Sequence, residues 1–450
     1  MADLEEILSS DSLFPARLPS GEGILPYQEI HHLISTGKIR SNAEIGEEQV
    51  QPSSIDLRLS HVAYRVSASF LPGRSTDLIT KAKANGILKE RIDISGPTRL
   101  EPNVIYIIPL MESLALPSDL YGIANPKSTT GRLDIFTRLI TEHGDEFDRV
   151  RRNYSGSLYI EMISQTFPII VQAGMKLNQL RFARGRLAPA GDGRLNELHQ
   201  GESLLGADED SGQSNINRGL RFTVDLQGNG SGVVAYQAKK SSVAIDLSKI
   251  DYYEAADFWI PIPRSENLQF VLEPNEFYIL ASKQRVRVPP DFAAEMLPYD
   301  LATQEFRVHY AGFFDPGFGY GMDGMVPGTR AVLEVRASHM PILLEDDQFV
   351  GRLNYYKMST KPEIAYGGNI GSSYQQQGLA LSKQFKRETQ CISSSASIAF
   401  ATSEEGRSTA NDPSGTNLRL ADSDDDDYGP AANLTFPGTG SEQRLNAKNR

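Results

Sequence analysis

The chain has 450 residues, of which 40% are hydrophobic and 23% are charged, a composition typical of globular proteins. Its formal charge of −12 argues against nucleic acid as a partner and leaves room only for a small basic pocket. The single cysteine, Cys391, excludes an intrachain disulfide and a cysteine cluster on a metal, and the 7 histidines show no metal-ligand spacing.

The N-terminal sequence, MADLEEILSS, carries acidic residues where a secretory signal needs a basic region. No apolar run is long enough to span a bilayer, so we expect a cytoplasmic protein that makes no membrane contact. Residues 1–23 are interpreted as an N-terminal extension. A helix is predicted over residues 26–36, where Ile30, Leu33 and Ile34 recur at helical spacing.

An internal repeat occupies most of the chain. The segment that starts at Leu100 reads LEPNVIY, and the segment that starts at Leu272 reads LEPNEFY. After one net inserted residue, YIEM at Tyr159 matches VLEV at Val332. A register kept over this length predicts a tandem duplication, with copy one at residues 24–199 and copy two at residues 200–387.

Each copy consists of short runs rich in β-branched and aromatic residues, separated by Pro, Gly and Asp turns. The pattern predicts a mainly β fold, with a barrel or jelly roll in each copy and few short helices. From residue 388 the composition changes to Ser, Gly, Asn, Thr and Asp, with four consecutive aspartates from Asp424. Residues 388–450 are therefore predicted to be a disordered, low-complexity tail.

The most informative motif is NPKSTTGRL, at residues 125–133. Hydroxyls and turn amides donate hydrogen bonds to phosphoryl oxygens, and an arginine adds a planar fork of charge-assisted donors. A capped helix start with a solvated arginine would fit the same letters, so the motif alone leaves both interpretations open. The candidate phosphate-binding residues are Lys127, Ser128, Thr129, Thr130, Gly131 and Arg132.

Several motifs resemble those of the dCTP deaminase family, whose fold is shared with the trimeric dUTPases. Residues 128–132 resemble its Ser-Ser-x-x-Arg motif, and SIDLRL at Ser54 resembles its early aspartate-containing strand. AGFFDPG at Ala311 resembles the hairpin that holds sugar and base, and VLE at Val332 resembles the catalytic strand. YQQQ at Tyr374 resembles the Tyr-x-x-Gln tail that closes over the nucleotide. One departure is Ser373, where the family often has lysine.

This resemblance implies two dUTPase-like β domains that hydrolyse dCTP to dUTP and ammonia without zinc, supplying dUTP for thymidylate synthesis. It also implies a homo-oligomer with threefold-arranged β domains. The protein is expected to need no cofactor of its own, while Mg²⁺ arrives bound to the triphosphate. The single cysteine agrees, because zinc-dependent cytidine deaminases use a pair of cysteines.

Glu334 is the candidate catalytic residue. A carboxylate in a desolvated site has a raised pKa and can move protons between water and the base, although a strand glutamate can also simply face solvent. By resemblance, the backbone carbonyl of Ala311 orients the water and Asp315 holds the sugar. Glu161 occupies the matching strand position in copy one and is the secondary candidate. Further substrate contacts are assigned by resemblance to Val332, Tyr374 and Gln377.

The two copies differ in complementary ways. Copy two has Asp300 and Gln304 where copy one has Ser128 and Arg132, and an aspartate would repel a triphosphate. Copy one, in turn, has a longer charged segment at residues 142–153 without Asp-Pro-Gly. We therefore predict one composite site for each chain, formed either within a chain or between chains.

Two alternatives remain open at the level of sequence. A dUTPase, or a bifunctional enzyme that makes dUMP, would share the fold and the phosphate motif, and Asp56 lies in a motif that could serve it. A non-catalytic nucleotide-binding module is the alternative from another functional class.

Overall fold

Two β-rich halves follow one another in this computed structural model. It describes residues 21–74, 76–206, 215–228, 232–240, 243–298, 306–309, 312–337, 340–367 and 378–387. The mainly β prediction is confirmed. The predicted tail and residues 1–20 lie outside the described residues.

Copy one consists mainly of successive strands with a few helices between them, together with a 3₁₀ helix at Glu47–Gln49. Its strands are β1 (Gly23–Ile24), β2 (Ile39–Ser41), β3 (Ile55–Arg58), β4 (Val62–Val66), β5 (Leu88–Asp93), β6 (Thr98–Leu100), β7 (Ile105–Ala115), β8 (Leu120–Pro126), β9 (Ile135–Thr141), β10 (Arg149–Val150), β11 (Ser155–Ser164), β12 (Ile169–Val171) and β13 (Lys176–Arg184). Its helices are α1 (Tyr27–Ser35), α2 (Leu78–Ala84), α3 (Ser128–Gly131) and α4 (Asp192–Glu202). The boundary predicted between the copies stays a prediction, and α4 runs across it.

Copy two has a similar order of elements and one short helix, α5 (Ala255–Phe258), among its described residues. Its strands are β14 (Leu220–Thr223), β15 (Val233–Ala238), β16 (Ile245–Asp246), β17 (Trp259–Pro263), β18 (Gln269–Leu272), β19 (Phe277–Val286), β20 (Phe292–Pro298), β21 (Phe306–His309), β22 (Phe313–Phe314), β23 (Thr329–Ala337), β24 (Ile342–Glu345) and β25 (Phe349–Lys357).

Helix α1 forms where the helical spacing predicts it. Pro26 precedes it in an extended conformation, which suits a residue whose ring fixes φ and whose nitrogen has no proton to donate. Ile30 and Leu33 are buried on its inner face. The helix thus lies against copy one as an amphipathic element.

The main sheets of the two copies share a strand order, to which copy one adds β1 and β2. In copy one, β5-β4-β7-β11-β9 are hydrogen-bonded neighbours, and in copy two the order is β17-β15-β19-β23-β21. The second sheets are β1-β13-β8-β10, with β3 beside β13, and β14-β25-β20-β22. Burial alternates along β8, as expected for strands with one face toward a core.

Equivalent residues of the repeat make equivalent contacts. Tyr106 accepts a hydrogen bond from the amide of Glu101 at 3.1 Å, and Tyr278 accepts one from the amide of Glu273 at 3.0 Å. Glu161 lies opposite Ile107 in the ladder between β11 and β7. Its counterpart Glu334 lies opposite Ile279 in the ladder between β23 and β19. The sequence register is therefore also a structural register.

The copies share a core rather than standing apart. Trp259, Phe277 and Phe385, which follow copy one in the chain, belong to the same buried cluster as the interior of copy one. Strand β16 pairs in parallel with β12, and Ile24 pairs with Met358. The described residues form one compact unit. This packing brings α3 of copy one close to β23 of copy two.

Candidate functional site

A cavity of about 1300 Å³ lies between the two copies. Copy one supplies the phosphate-type motif to its wall, and copy two supplies the hairpin after β22 and one face of β23. The predicted residues that line it are Lys127, Ser128, Thr129, Thr130, Arg132, Asp315, Val332 and Glu334. The structure thus brings both halves of the predicted composite site together within a single chain.

The phosphate-type motif forms the short helix α3. Ser128 is exposed and Thr129 is half-buried, and both residues line the cavity. Thr130 is buried, and its hydroxyl donates to the backbone carbonyl of Leu177 at 2.9 Å. Gly131 is buried within the turn and donates its amide to the carbonyl of Lys127 at 3.0 Å. Thr130 and Gly131 therefore fix the turn from which Ser128 and Thr129 project.

Lys127 is already paired in this structure. Its Nζ lies 2.5 Å from both carboxylate oxygens of Asp56. Asp56 is buried on β3, far from Lys127 in sequence. The sequence of the motif therefore did not predict this contact. The charge of Lys127 is thus balanced by the protein before any anion binds.

Arg132 is a buried cation at the end of the motif, with 3% of its surface exposed. Its Nη1 donates to the carbonyl of Ala380 at 3.0 Å. Its positive charge lowers the pKa of Glu334, which belongs to the other copy. The two residues therefore interact across the cavity even though their motifs are far apart in sequence.

Glu334 projects from β23 into the cavity and is 4% exposed. Burial raises the pKa of its carboxyl to about 8, against the opposing effect of Arg132. Val332, two residues earlier on the same face of the strand, also lines the cavity. A carboxyl with this pKa can hold a proton at neutral pH and release it when a base comes within reach.

Glu161, the secondary candidate, has a different environment. Its side chain is fully buried, and its Oε1 accepts hydrogen bonds from Nη2 of Arg138 at 2.5 Å and from Nε at 3.1 Å. Glu161 does not line the cavity. Its charge is used in an ion pair inside copy one.

Asp315 is held in place by two residues of copy one that the sequence did not single out. Its Oδ1 accepts from the hydroxyl of Ser53 at 2.5 Å and from Nη2 of Arg181 at 3.4 Å. Arg181 also donates to the carbonyls of Ala294 at 3.1 Å and Phe314 at 2.9 Å. The hairpin of copy two is therefore fixed by a buried cation of copy one.

The turn after Asp315 requires glycine. Gly317 has φ +89°, and a Cβ there would lie 2.6 Å from the Cβ of Ala365. The amide of Tyr366 donates to the carbonyl of Pro316 at 2.8 Å. Tyr366 lines the cavity and its ring contacts that of Phe318, a placement that sequence reasoning missed.

Some predicted residues cannot be placed. Ala311, Tyr374 and Gln377 lie outside the described residues, as do Asp300 and Gln304 of copy two. Within the described residues, no three His, Cys, Asp or Glu side chains are arranged to hold a metal ion. No helix in the described part of the chain combines the length and apolarity that crossing a bilayer requires.

Comparisons with known proteins identify relatives for both copies. Residues 21–186 match the family model for the N-terminal domain of 2'-deoxycytidine 5'-triphosphate deaminase, and residues 191–385 match the model for its C-terminal domain. A "dCTP deaminase, dUMP-forming" from Corynebacterium kroppenstedtii is 32% identical over 136 residues, which cover 29% of this chain and 68% of that protein. A protein of the same name from Streptomyces avermitilis is 28% identical and covers 40% of this chain and 91% of its own length.

A solved structure is similar over a larger share of the chain. The 2'-deoxycytidine 5'-triphosphate deaminase from Agrobacterium tumefaciens is 44% identical, with a TM-score of 0.70. The match covers 75% of this chain and 99% of that one.

Proposed function

The chain belongs to the dCTP deaminase family, and on that premise we propose that it hydrolyses dCTP to dUTP and ammonia without zinc, using Glu334 to move protons. One observation carries the assignment of Glu334. It is a nearly fully buried carboxyl that nevertheless lines the cavity shared with the phosphate-type motif.

The proposed reaction begins with Glu334 protonated, because burial raises its pKa to about 8. Glu334 gives its proton to N3 of the cytosine, which makes C4 more electrophilic. The resulting carboxylate takes a proton from water as the water oxygen bonds to C4. Glu334 then passes that proton to the amino group. The C4–N bond breaks, ammonia leaves, and the C4 hydroxyl gives its proton to Glu334 as the C4 carbonyl forms. Glu334 therefore ends protonated, as it began.

The rest of the cavity supplies positioning. Arg132 and the hydroxyls of Ser128 and Thr129 bind phosphoryl oxygens, with Mg²⁺ arriving as part of the substrate. Asp315, kept in place by Ser53 and Arg181, accepts a hydrogen bond from the sugar. In this proposal the carbonyl of Ala311 orients the water, Val332 packs beside the base, and Tyr374 and Gln377 close over the nucleotide.

Incubation of the purified full chain with dCTP and Mg²⁺ tests the proposal directly. We expect ammonia and dUTP in equal amounts, with the rate unchanged by a zinc-selective chelator. A rise in melting temperature with dCTP but no ammonia would instead indicate a nucleotide-binding module.

A second candidate is a bifunctional enzyme that forms dUMP. It is favoured by the relatives named dUMP-forming and by Asp56, a carboxylate that lines the cavity beside the phosphate-type motif. We favour dUTP as the product because both oxygens of Asp56 are engaged by Lys127. Pyrophosphate released in step with ammonia would select the bifunctional enzyme, and ammonia without pyrophosphate would select the deaminase.

A further inference from the structure

An ion pair joins the two copies just outside the cavity. Arg336 of copy two donates from Nη2 to the carboxylate of Asp134 in copy one, and the hydroxyl of Thr166 donates to the same oxygen at 2.6 Å. Asp134 is fully buried, and the side chain of Arg336 is 15% exposed. Neither is among the described residues that line the cavity. This contact, which we call the cross-copy ion pair, therefore lies behind the cavity wall.

Each partner is two positions from a residue of the site. Asp134 follows Arg132 at the end of the phosphate-type motif. Arg336 follows Glu334 on β23, and alternate residues of a strand point to the same side. Val332, also on that side, packs into the core cluster of copy one. The cross-copy ion pair thus ties the segment that carries Arg132 to the strand that carries Glu334.

Further contacts fix both partners. Asp134 has φ +57°, a left-handed conformation that aspartate adopts more readily than most residues, and its amide donates to the carbonyl of Gly131 at 2.9 Å. Arg336 also donates to the hydroxyl of Thr166 at 3.1 Å and to the carbonyl of Asn275. Both groups therefore belong to a largely buried hydrogen-bond network, in which the loss of one member displaces the others.

The internal repeat shows that the arginine is particular to one copy. Glu161 matches Glu334. Ile163 therefore occupies the position in copy one that matches Arg336, and an isoleucine cannot form an ion pair. The arginine thus accompanies the glutamate that lines the cavity and not the one that is paired with Arg138.

We propose that the cross-copy ion pair is a positioning device for the reaction, which keeps Arg132 and Glu334 at their working separation. Asp134 and Arg336 are thus positioning residues. The proposal rests on the proposed function, in which Glu334 moves the protons. Breaking a buried ion pair leaves one charge uncompensated, so the surrounding elements shift. A larger separation weakens the action of the Arg132 charge on Glu334.

The charged groups around Glu334 come from several elements. Its ladder partners are Ile279 on β19 and His309 on β21, and Arg132 acts on it from copy one. Apart from burial and a backbone hydrogen bond, the charge of Arg132 is what shifts the pKa of Glu334. Other charged residues that line the cavity are Asp56 on β3, Lys127 before α3, Lys176 on β13, Asp315 after β22 and Lys383 near the end of the described chain. The pH at which Glu334 loses its proton therefore reports on its distance from Arg132.

Asp134→Asn and Arg336→Gln test the proposal through the pH dependence of kcat for dCTP. We expect kcat to fall by about tenfold in each variant, because a displaced acid loses its alignment. The fall in activity near pH 8 should move up by about half a pH unit or more. Charge loss alone acts differently, because removal of a negative charge lowers the pKa of Glu334 and removal of a positive charge raises it. A shift to higher pH in both variants therefore indicates positioning.

The double variant Asp134→Asn/Arg336→Gln changes no net charge and leaves no buried charge unpaired, so it serves where a single variant does not fold. It should keep the upward shift, and Arg336→Lys, which retains the charge, should recover most of kcat. Arg330→Gln is the matched control, since Arg330 lies on the same strand, is 12% exposed and pairs with Asp225 inside copy two at 3.2 Å. Its pH dependence should equal that of the original chain. An unshifted pH dependence in the double variant, or shifts of opposite sign in the two single variants, would overturn the proposal.

Thermal melts separate this proposal from the proposed function, because they need no turnover. The difference in melting temperature between a protein and its Glu334→Gln counterpart changes with pH up to the pKa of Glu334 and then levels off. We expect it to level off at a higher pH in the double variant than in the original chain. That result would keep the positioning role even if dCTP yields no ammonia and the deaminase assignment fails. Levelling off at the same pH in both proteins would remove the positioning role.

Discussion

The two copies carry a glutamate at the same strand position and place it in opposite environments. Glu161 of copy one is fully buried and ion-paired with Arg138 at 2.5 Å. Glu334 of copy two is 4% exposed, lines the cavity, and has a pKa raised to about 8 by burial. A buried carboxylate that has a cation beside it is a structural group, whereas one that faces a cavity is available for proton transfer.

The surroundings of the two glutamates differ accordingly. The guanidinium of Arg138 lies 3.6 Å from the ring centre of Phe147 and also donates to the hydroxyl of Ser69 at 2.8 Å. These side chains fill the space beside Glu161. In the ladder between β9 and β11, Arg138 is the partner of Glu161. At the matching position of the ladder between β21 and β23, the partner of Glu334 is His309. Copy one thus keeps the strand, while its glutamate is ion-paired and does not line the cavity.

The largest expected effect is that of Glu334→Gln. Loss of the proton-transferring group should lower kcat for dCTP by about a thousandfold or more. In the unfolded chain Glu334 has its ordinary pKa of 4.5, whereas in the folded protein its pKa is about 8. Between these two pH values the folded protein keeps a proton on Glu334 that the unfolded chain has released. Stability therefore falls as pH rises through that window, and the glutamine removes this cost. At pH 9 the melting temperature of the variant should be no lower than that of the original chain. Full activity in Glu334→Gln would contradict the assignment of proton transfer to Glu334.

Arg132→Gln should come second, with a loss of about a hundredfold in kcat/KM because a charged phosphate contact disappears. The positive charge of Arg132 lowers the pKa of Glu334, so its removal should raise that pKa. With protonated Glu334 as the active form, activity of the original chain falls as pH rises through about 8. In the variant this fall in activity should occur at higher pH. If activity falls at the same pH in the variant and in the original chain, the charge of Arg132 does not affect the pKa of Glu334.

Arg181→Met should have an intermediate effect. Asp315 and the carbonyls of Ala294 and Phe314 lose a donor, so the free energy of unfolding should fall by about 2–4 kcal/mol. KM should rise by about tenfold and kcat should change less, because a positioning residue is lost. Arg221→Met, which removes a guanidinium stacked on Phe349 outside the cavity, is the control. Equal kinetics in the two variants would show that Arg181 does not position Asp315.

Glu161→Gln should have the smallest effect on activity, within about twofold of the original kcat. The ion pair with Arg138 is lost, so the free energy of unfolding should fall by about 1–3 kcal/mol. Denaturant melts and single-turnover assays on the folded protein measure the two quantities separately. A large loss of kcat without loss of stability would indicate that Glu161, rather than Glu334, is the catalytic residue.

Much of the fold and part of the site could be predicted because repeated and motif letters can be read directly from the sequence. The repeated LEPN segments fixed the register of the two copies, and the hydroxyl-rich motif marked one wall of the cavity. The pairing of Lys127 with Asp56 was missed because 71 positions separate the two residues. Arg181 was missed for a similar reason, since 134 positions separate it from Asp315.

The sequence by itself determined a mainly β protein with two related halves, and it named Glu334 and Arg132 as residues to examine. The fold class and the two halves follow from composition and repeated letters, whereas the choice of Glu334 and Arg132 rests on the resemblance of their motifs to those of the dCTP deaminase family. Only the tertiary structure decided that both halves of the site meet within one chain, that Glu161 is ion-paired with Arg138, and that Lys383 faces the cavity. These depend on which distant side chains share a buried volume, because burial and neighbouring charge set what each group can do.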